Sequence, residues 1–244
     1  MTQTAAPDRA IVIFHGIGRP GRALEPGEAR FWLDRDRFRA ILDRIAAMGA
    51  QAPAITFDDG NASDIAIAAP ELAARGLRAT FFLLTGRLNT PGALCAADVT
   101  ALARAGHRIG LHGHAHCDWR RLDDRARRRE YQTARGILAK LAGAPVTEAA
   151  APFGLYDRRV AADLAALGFA ALHTSDRGRA RRGAFLQPRN CIEAGMEPPA
   201  LERALWGHVP LARRPRRLLG LARKRLWPPA ARRPEPAPSG GDAR

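Results

Sequence analysis

The sequence lacks any long hydrophobic run. Hydrophobic residues make up 46% of its 244 residues, yet every uninterrupted apolar run is far shorter than the roughly 20 residues that a membrane-spanning helix needs. Residues 1–9 also lack the basic start and long apolar centre of a secretory signal. We therefore expect no transmembrane helix, no export signal and a cytoplasmic location.

Cysteine is scarce. Cys95, Cys117 and Cys191 are an odd number with no close pairing, which predicts reduced thiols rather than a disulfide framework. Cys117 directly follows His116, so a metal-binding thiol has to be weighed against a packed one. We favour packing, because oxygen and nitrogen donors elsewhere in the sequence are sufficient to fill a metal site.

Acidic residues are too few to balance the basic ones, and the net charge is +15. Residues 208–244 contain nine arginines and one lysine against two acidic residues, so about half of the excess lies in this short tail. We predict one domain over residues 1–207 and a basic, partly disordered tail over residues 208–244. Specific nucleic-acid binding is disfavoured, because Trp227 is the only aromatic in the tail that could stack on a base.

Short apolar runs alternate with helical patterns along most of the chain. Strands are predicted at residues 11–14, 54–57, 77–84, 108–111, 146–151, 169–174 and 184–188, and helices at residues 38–48, 63–76, 96–105, 122–141 and 157–167. Asp34 and Ser63 are candidate helix caps, and Pro70 is expected to kink the second helix. The alternation indicates parallel strands with crossover helices. We predict an α/β fold, a distorted or incomplete (β/α) barrel, although an open doubly wound sheet would have the same local elements.

Three polar motifs follow predicted strands. They are Thr56-Phe57-Asp58-Asp59-Gly60, His112-Gly113-His114-Ala115-His116 and Ala151-Pro152-Phe153-Gly154. In a barrel, such positions meet at the carboxyl ends of the strands. One carboxylate and two imidazoles can hold a divalent metal with a position left open for water, while a second carboxylate stays free as a base. Taken singly, the aspartates are also typical of a turn or helix cap, and the histidines of a polar surface loop.

The order and content of these motifs resemble the polysaccharide deacetylase family, which shares the NodB homology domain and is similar to carbohydrate esterase family 4. The pattern is closest to the poly-N-acetylglucosamine deacetylase branch. This resemblance implies that Asp59, His112 and His116 bind the metal, most simply Zn²⁺, and that Asp58 is the general base. His114 falls at a spacer position. The resemblance covers about residues 11–205, so residues 1–207 are expected to form the catalytic domain.

Pro152-Phe153-Gly154 resembles the third motif of the family, whose aromatic residue lines the substrate groove and whose backbone N–H faces the developing oxyanion. Many members have an arginine two residues before this proline, paired with the catalytic aspartate, but Ala150 occupies that position here. Arg189, which follows a predicted strand, is our candidate to orient Asp58. We include it with Pro152 and Phe153 in the set expected around the substrate.

The histidine that serves as general acid late in the family sequence has no match in this chain. His15 and His173 both end predicted strands and are candidates to line the site. His15 resembles a histidine near the start of the poly-N-acetylglucosamine deacetylase branch, and we expect it to be catalytic. Each could instead be a hydrogen-bonded structural histidine.

Taken together, the resemblance implies a metal-dependent hydrolase that removes an acetyl group from an N-acetylated sugar of a glycan or glycan precursor. Nucleotide-linked and lipid-linked sugars are the expected substrates inside a cell. The missing arginine and late histidine favour an alternative, a catalytically weak protein that binds sugars or acts as a scaffold. Two interpretations of the tail stay open. It is either a helix that contacts anionic membrane, with Leu218, Leu221 and Leu226 in the lipid interface, or a solvated basic segment.

Overall fold

The computed structural model of the chain describes residues 8–226, in which parallel strands form a barrel with helices around it. The strands are β1 (Arg9–Phe14), β2 (Ala54–Asp59), β3 (Ala79–Leu83), β4 (Arg108–Leu111), β5 (Glu148–Ala150), β6 (Ala171–Thr174), β7 (Arg179–Ala180), β8 (Leu186–Pro188) and β9 (Asn190–Cys191). The α-helices are α1 (Arg35–Ala47), α2 (Ala69–Ala73), α3 (Ala96–Arg104), α4 (Asp124–Arg127), α5 (Ala134–Ala142), α6 (Arg158–Ala166), α7 (Pro198–Trp206) and α8 (Arg214–Leu226). None of the helices in this part of the chain is long and apolar enough to cross a membrane.

The sheet nearly closes on itself. Its strand order is β7-β1-β2-β3-β4-β5-β6-β8, and the neighbours from β1 to β8 run parallel. β8 pairs with β6, whereas β9 pairs with β1, and only Arg189 separates β8 from β9. The chain therefore bridges the two sides of the sheet at this residue. The predicted distorted (β/α) barrel is confirmed, and the open sheet is excluded.

Alternating side chains separate the two faces of the barrel wall. Phe14, Phe57 and Phe81 share one register row and stack on one another at 5.4 and 4.7 Å between ring centroids. Phe82, one residue later, is directed to the opposite face and fills the interior. Gly110 is its partner on β4, where a Cβ would overlap the Phe82 ring. A glycine is therefore required at this position for the interior to be packed.

Two of the predicted helix starts differ in outcome. Asp34 caps α1 as predicted, because its carboxylate accepts the N–H three residues later at 2.7 Å. Ser63 is wrong as a cap, since its hydroxyl accepts the Ile17 N–H at 3.2 Å instead. Pro70 lies in the first turn of α2, after a π-helical stretch at Asp64–Ala68. Proline has no N–H to continue the regular ladder, so the pitch can change at this point at little cost.

The long helix predicted at residues 122–141 is present, but its middle is π-helical. α4 leads into a π-helical stretch at Arg128–Thr133, which continues into α5. Such stretches change which side chains face inward, and here Glu130 becomes fully buried.

The tail begins with a helix, as predicted. α8 lies against the barrel, where the Lys224 ammonium is 2.5 Å from the Asp176 carboxylate and 3.3 Å from the Gly154 carbonyl oxygen. The predicted disorder at the end of the tail concerns residues 227–244, which lie outside the described residues. The boundary at residue 207 stays a prediction.

Candidate active site

The three motifs meet in one pocket at the carboxyl ends of the strands. The pocket has a volume of about 350 Å³. Its walls include His15 after β1, Asp58 and Asp59 at the end of β2, His112 and His116 after β4, and Phe153 after β5. Parallel strands bring their carboxyl ends to one edge of a barrel, which is why residues so distant in sequence lie together.

Asp59, His112 and His116 form a compact donor group. One ligand atom from each lies within 4.8 Å of the others, and both histidine Nε2 atoms are 3.5 Å from Asp59 Oδ1. Ligand atoms bound tetrahedrally at about 2.1 Å from Zn²⁺ are roughly 3.4 Å apart. The spacing of the donors therefore fits one metal ion.

Hydrogen bonds at Nδ1 turn both histidines toward this point. His112 Nδ1 donates to the Ala150 carbonyl oxygen at 2.8 Å, and His116 Nδ1 lies 2.9 Å from the Glu25 carboxylate. With the proton held at Nδ1, Nε2 keeps its lone pair for a metal. Burial also lowers the pKa of His112, which favours the neutral form that binds metals.

The Asp59 carboxylate supplies a further test of the fit. Its Oδ1 atom is buried and has no hydrogen-bond partner within the described residues. A buried carboxylate oxygen without a partner is costly, and a cation at the centre of the donor group would satisfy it. The donor group therefore fits a divalent metal in both distance and chemistry.

Asp58 lies beside this group and pairs with Arg189. The two guanidinium nitrogens contact the two carboxylate oxygens at 2.7 and 2.8 Å, and Nη1 also donates to the Thr56 hydroxyl at 3.1 Å. Burial by itself raises the pKa of Asp58, but Arg189 and His112 outweigh it, and the pKa lies below its ordinary value. Asp58 is thus held as an oriented carboxylate.

Arg189 therefore occupies the role predicted for the partner of Asp58, which Ala150 cannot fill. Its side chain is 0% exposed, so it lies behind Asp58 and does not line the pocket. Pro152 is also buried. Of the three residues expected around the substrate, only Phe153 faces the pocket.

The histidine loop is held by a buried glutamate that the sequence analysis did not identify. The Glu130 carboxylate accepts the backbone N–H groups of His114 and Ala115 at 2.7 and 3.0 Å. Gly113 allows this approach, because it has a φ of 98° and a Cβ there would overlap the carboxylate. Nothing in the sequence around Glu130 distinguishes it from an ordinary charged residue on a helix.

Backbone strain is concentrated at the pocket. Five non-glycine residues in the described part of the chain have a left-handed φ. Four of these line the pocket, namely Asp59, His116, Phe153 and Arg177. Each such conformation costs on the order of 1–3 kcal/mol and persists only where the surroundings impose it. Their clustering marks this edge of the barrel as the functional one.

The remaining candidates divide into residues at the pocket and residues away from it. His15 lines the pocket and stacks on Phe31 at 4.7 Å, and its Nδ1 atom has no hydrogen-bond partner among residues 8–226. His173 is buried against Glu148 at 2.9 Å and does not line the pocket.

Burial and Glu130 raise the pKa of the Cys117 thiol to about 12, which supports its packing role.

Several pocket residues were missed because they come from loops without a motif. Glu25, Arg30 and Phe31 belong to the segment after β1, and Ser175 and Arg177 to the segment after β6. Only their position after a strand could have indicated them. Residues that contact ligands often lie on loops held by a rigid scaffold, and such loops carry no regular sequence pattern by which to recognise them.

A barrel that gathers an oriented carboxylate beside an Asp–His–His group has the arrangement of a hydrolase site. The family model for polysaccharide deacetylase matches residues 46–172, more than half of the chain, and the chain belongs to this family. It is therefore a carbohydrate N-deacetylase, and the resemblance seen in the sequence is confirmed.

Solved structures of deacetylases have the same fold. The Streptococcus pyogenes deacetylase PplD superposes with a TM-score of 0.71 at 19% identity, covering 82% of this chain and 98% of that one. IcaB from Ammonifex degensii superposes with a TM-score of 0.62 at 20% identity, covering 83% of this chain and 98% of that one. A de-N-acetylase from Aggregatibacter actinomycetemcomitans superposes with a TM-score of 0.68 at 12% identity, covering 82% of this chain and 100% of that one. No curated protein sequence matches the chain.

Proposed function

We propose that this protein is a metal-dependent N-deacetylase that acts on an N-acetylated sugar of a glycan or glycan precursor, and that its metal is Zn²⁺. The convergence of Asp59, His112 and His116 on one point, with both Nε2 atoms free, carries this proposal. One carboxylate and two imidazoles suit Zn²⁺, and three protein ligands leave a position open for water.

A divalent metal held there supplies Lewis acidity, which makes water nucleophilic near pH 7. Asp58 lies beside the donor group and accepts the proton of the attacking water. The Arg189 pair keeps its carboxylate ionised and fixed in direction. Phe153 covers His116, with ring centroids 4.3 Å apart, and its backbone N–H is the proposed donor to the oxyanion.

His15 is the proposed general acid to the leaving amine. It lines the same pocket, and its Nδ1 atom has no partner among the described residues. The ring is fixed by the stack on Phe31. A histidine suits this role because its ordinary pKa lies near the pH at which a cell operates.

The experiment that tests the function is a deacetylation screen. The purified protein is incubated with cell-extract glycans and with sugar nucleotides, and new free amines are detected by mass. We expect amine formation that stops when a chelator removes the metal and returns with added Zn²⁺. Bound metal without turnover on any acetamido sugar would contradict the proposal and support the sugar-binding alternative. Only the absent late histidine still favours that alternative, because Arg189 replaces the missing arginine.

Glu25 should control how tightly the metal is held. Removing a carboxylate that orients a metal-binding histidine typically costs 10–100-fold in metal affinity. We expect Glu25→Ala to weaken Zn²⁺ binding by about this factor, and Glu25→Gln by less, because the amide oxygen can still accept from Nδ1. Competition with a chromogenic chelator measures the affinity. Glu193→Gln is the matched control, since Glu193 lines the same pocket without contacting a ligand histidine.

We further propose that the enzyme works in the cytoplasm at the surface of an anionic membrane. α8 carries five arginines besides Lys224, which pairs with Asp176, and each basic residue near an anionic surface contributes about 1 kcal/mol. Leu218 and Leu219 on α8 are 61% and 71% exposed. The prediction for Leu221 is wrong, because this side chain lines a cavity between α8 and the barrel. The side chain of Leu226 lies outside the described set.

Liposome sedimentation tests the membrane contact. A Leu218→Ser/Leu219→Ser variant should sediment less with anionic vesicles at low salt than the unchanged protein, because both leucines would otherwise enter the lipid interface. Ile137→Ser is the matched control, since Ile137 is an exposed apolar residue, at 41%, on a different helix. Equal sedimentation of the double variant and the unchanged protein would remove the membrane proposal.

A further inference from the structure

A second cavity lies beside the active-site pocket and has no role in the reaction described above. It has a volume of about 440 Å³, larger than the pocket itself. Its walls come from the segment after β6, β9, α7, the segment after α7, and α8. We call it the C-terminal cavity. Its size falls within the roughly 300–1,000 Å³ of cavities that bury small ligands.

The C-terminal cavity adjoins the active-site pocket. Ser175, Arg177 and Cys191 line both spaces, so a molecule that extends from one can enter the other at these residues. Arg177 stands at the junction, with its side chain 48% exposed and a nitrogen 3.9 Å from Glu193. A substituent that extends from the sugar in the pocket into the cavity would contact this guanidinium.

The lining of the cavity combines an apolar wall with polar side chains. Away from the junction these polar residues are Asp176, Asn190, Arg203, His208 and Lys224. The apolar wall consists of Met196, Ala200, Ala204, Val209, Pro210 and Leu221. α8 closes this wall and is tied down by Lys224, which pairs with Asp176 and lies over the Tyr156 ring at 4.8 Å. The tie holds α8 beside the apolar residues, and a hydrocarbon group would lose contact with water on binding against them.

We propose that the C-terminal cavity binds the first part of the hydrocarbon chain of a lipid-phosphate-linked, N-acetylated sugar. The phosphate would lie at Arg177, since guanidinium groups bind phosphate oxygens in pairs. This inference rests on the proposed function and narrows its substrate class to a sugar carried on an isoprenoid-type chain. The exposed side chains of Leu218 and Leu219 then lie on the same helix, α8, that contacts the hydrocarbon of the substrate.

Gly220 offers a specific way to fill the cavity. It lies in α8 and lines the cavity, and a Cβ at this position would meet no atom within 4 Å. Gly220→Leu should therefore place a side chain in the empty space while raising helix propensity. Ala222→Leu adds the same bulk on the exposed side of α8 and is the matched control.

The probe is farnesyl diphosphate, with inorganic diphosphate and farnesol as the separate arms, and binding is measured by calorimetry on the full chain. We expect farnesyl diphosphate to bind the unchanged protein and the Ala222→Leu variant equally. Each buried methylene is worth about fourfold in affinity, so a leucine that displaces two or three of them should weaken binding roughly 15- to 60-fold. Inorganic diphosphate and farnesol should each bind more weakly than the joined molecule.

Equal binding of farnesyl diphosphate to the Gly220→Leu variant would overturn the proposal. Inorganic diphosphate that binds as tightly as farnesyl diphosphate would also overturn it, because the site would then recognise only an anion. Repeating the measurement in an Asp59→Ala background excludes phosphate binding at the Asp–His–His group. Failure of the cavity proposal can be distinguished from failure of the deacetylase proposal. The binding measurement needs no turnover, and the deacetylation screen includes sugars without a lipid.

Discussion

Replacing Asp59 or His112 with alanine should reduce the metal content from close to one ion per chain to nearly none. Each residue supplies one of the three protein ligands of the Asp–His–His group, and the nearby Asp58 carboxylate is already paired with Arg189. Elemental analysis of the purified variants measures the change. Deacetylation should fall to background in both, because two ligands do not hold Zn²⁺ in a catalytic site.

His114→Ala is the matched control for this experiment. His114 lies in the same loop between the two ligand histidines, but its ring hydrogen-bonds the Thr85 hydroxyl at 3.0 Å. The variant should therefore keep its metal. Unchanged metal content in both the Asp59 and His112 variants would mean that the ligand set is wrong.

Asp58→Asn should keep the metal and lose about 10²–10⁴-fold in turnover, because the amide cannot accept a proton from water. The change also weakens the pairing of Arg189, which is 0% exposed. A buried charge that loses its partner typically costs about 3–5 kcal/mol of stability. The variant should thus unfold at a lower temperature as well.

A double variant separates the two effects. Asp58→Asn/Arg189→Leu removes the buried cation together with the carboxylate, so the thermal stability should recover while turnover stays low. Turnover, metal content and unfolding temperature are measured on both variants. Wild-type turnover in either would refute the base assignment, and loss of metal from Asp58→Asn would place Asp58 among the ligands.

The sequence was sufficient for those parts of the site that lie directly at strand ends. Asp58, Asp59 and His112 end or follow apolar runs, and the strand order brings those ends together. Arg189 could be predicted for the same reason, although its exact partner geometry could not. At these positions the local sequence pattern places each residue at a strand end, and the barrel topology brings those ends together. Three short motifs were therefore enough to predict this part of the site.

The supporting residues could not be predicted, because their roles depend on contacts between distant segments. Glu25 contacts a histidine 91 positions later in the chain, and Glu130 reaches its loop only through a π-helical stretch. Leu221 was assigned to the membrane side because a helical pattern shows two faces but not which one meets the barrel. In each case tertiary packing decided what sequence spacing left open.

Arg189 joins the last two barrel strands and also pairs with the Asp58 carboxylate, 131 positions away in the chain. All three donors of the Asp–His–His group lie within the first 116 residues. A ribosome that adds about 5–20 residues per second therefore completes these three donors seconds before it adds Arg189. A chain that ends before Arg189 contains all three donors but lacks the partner of Asp58, so the orientation of the Asp58 carboxylate depends on completion of the barrel.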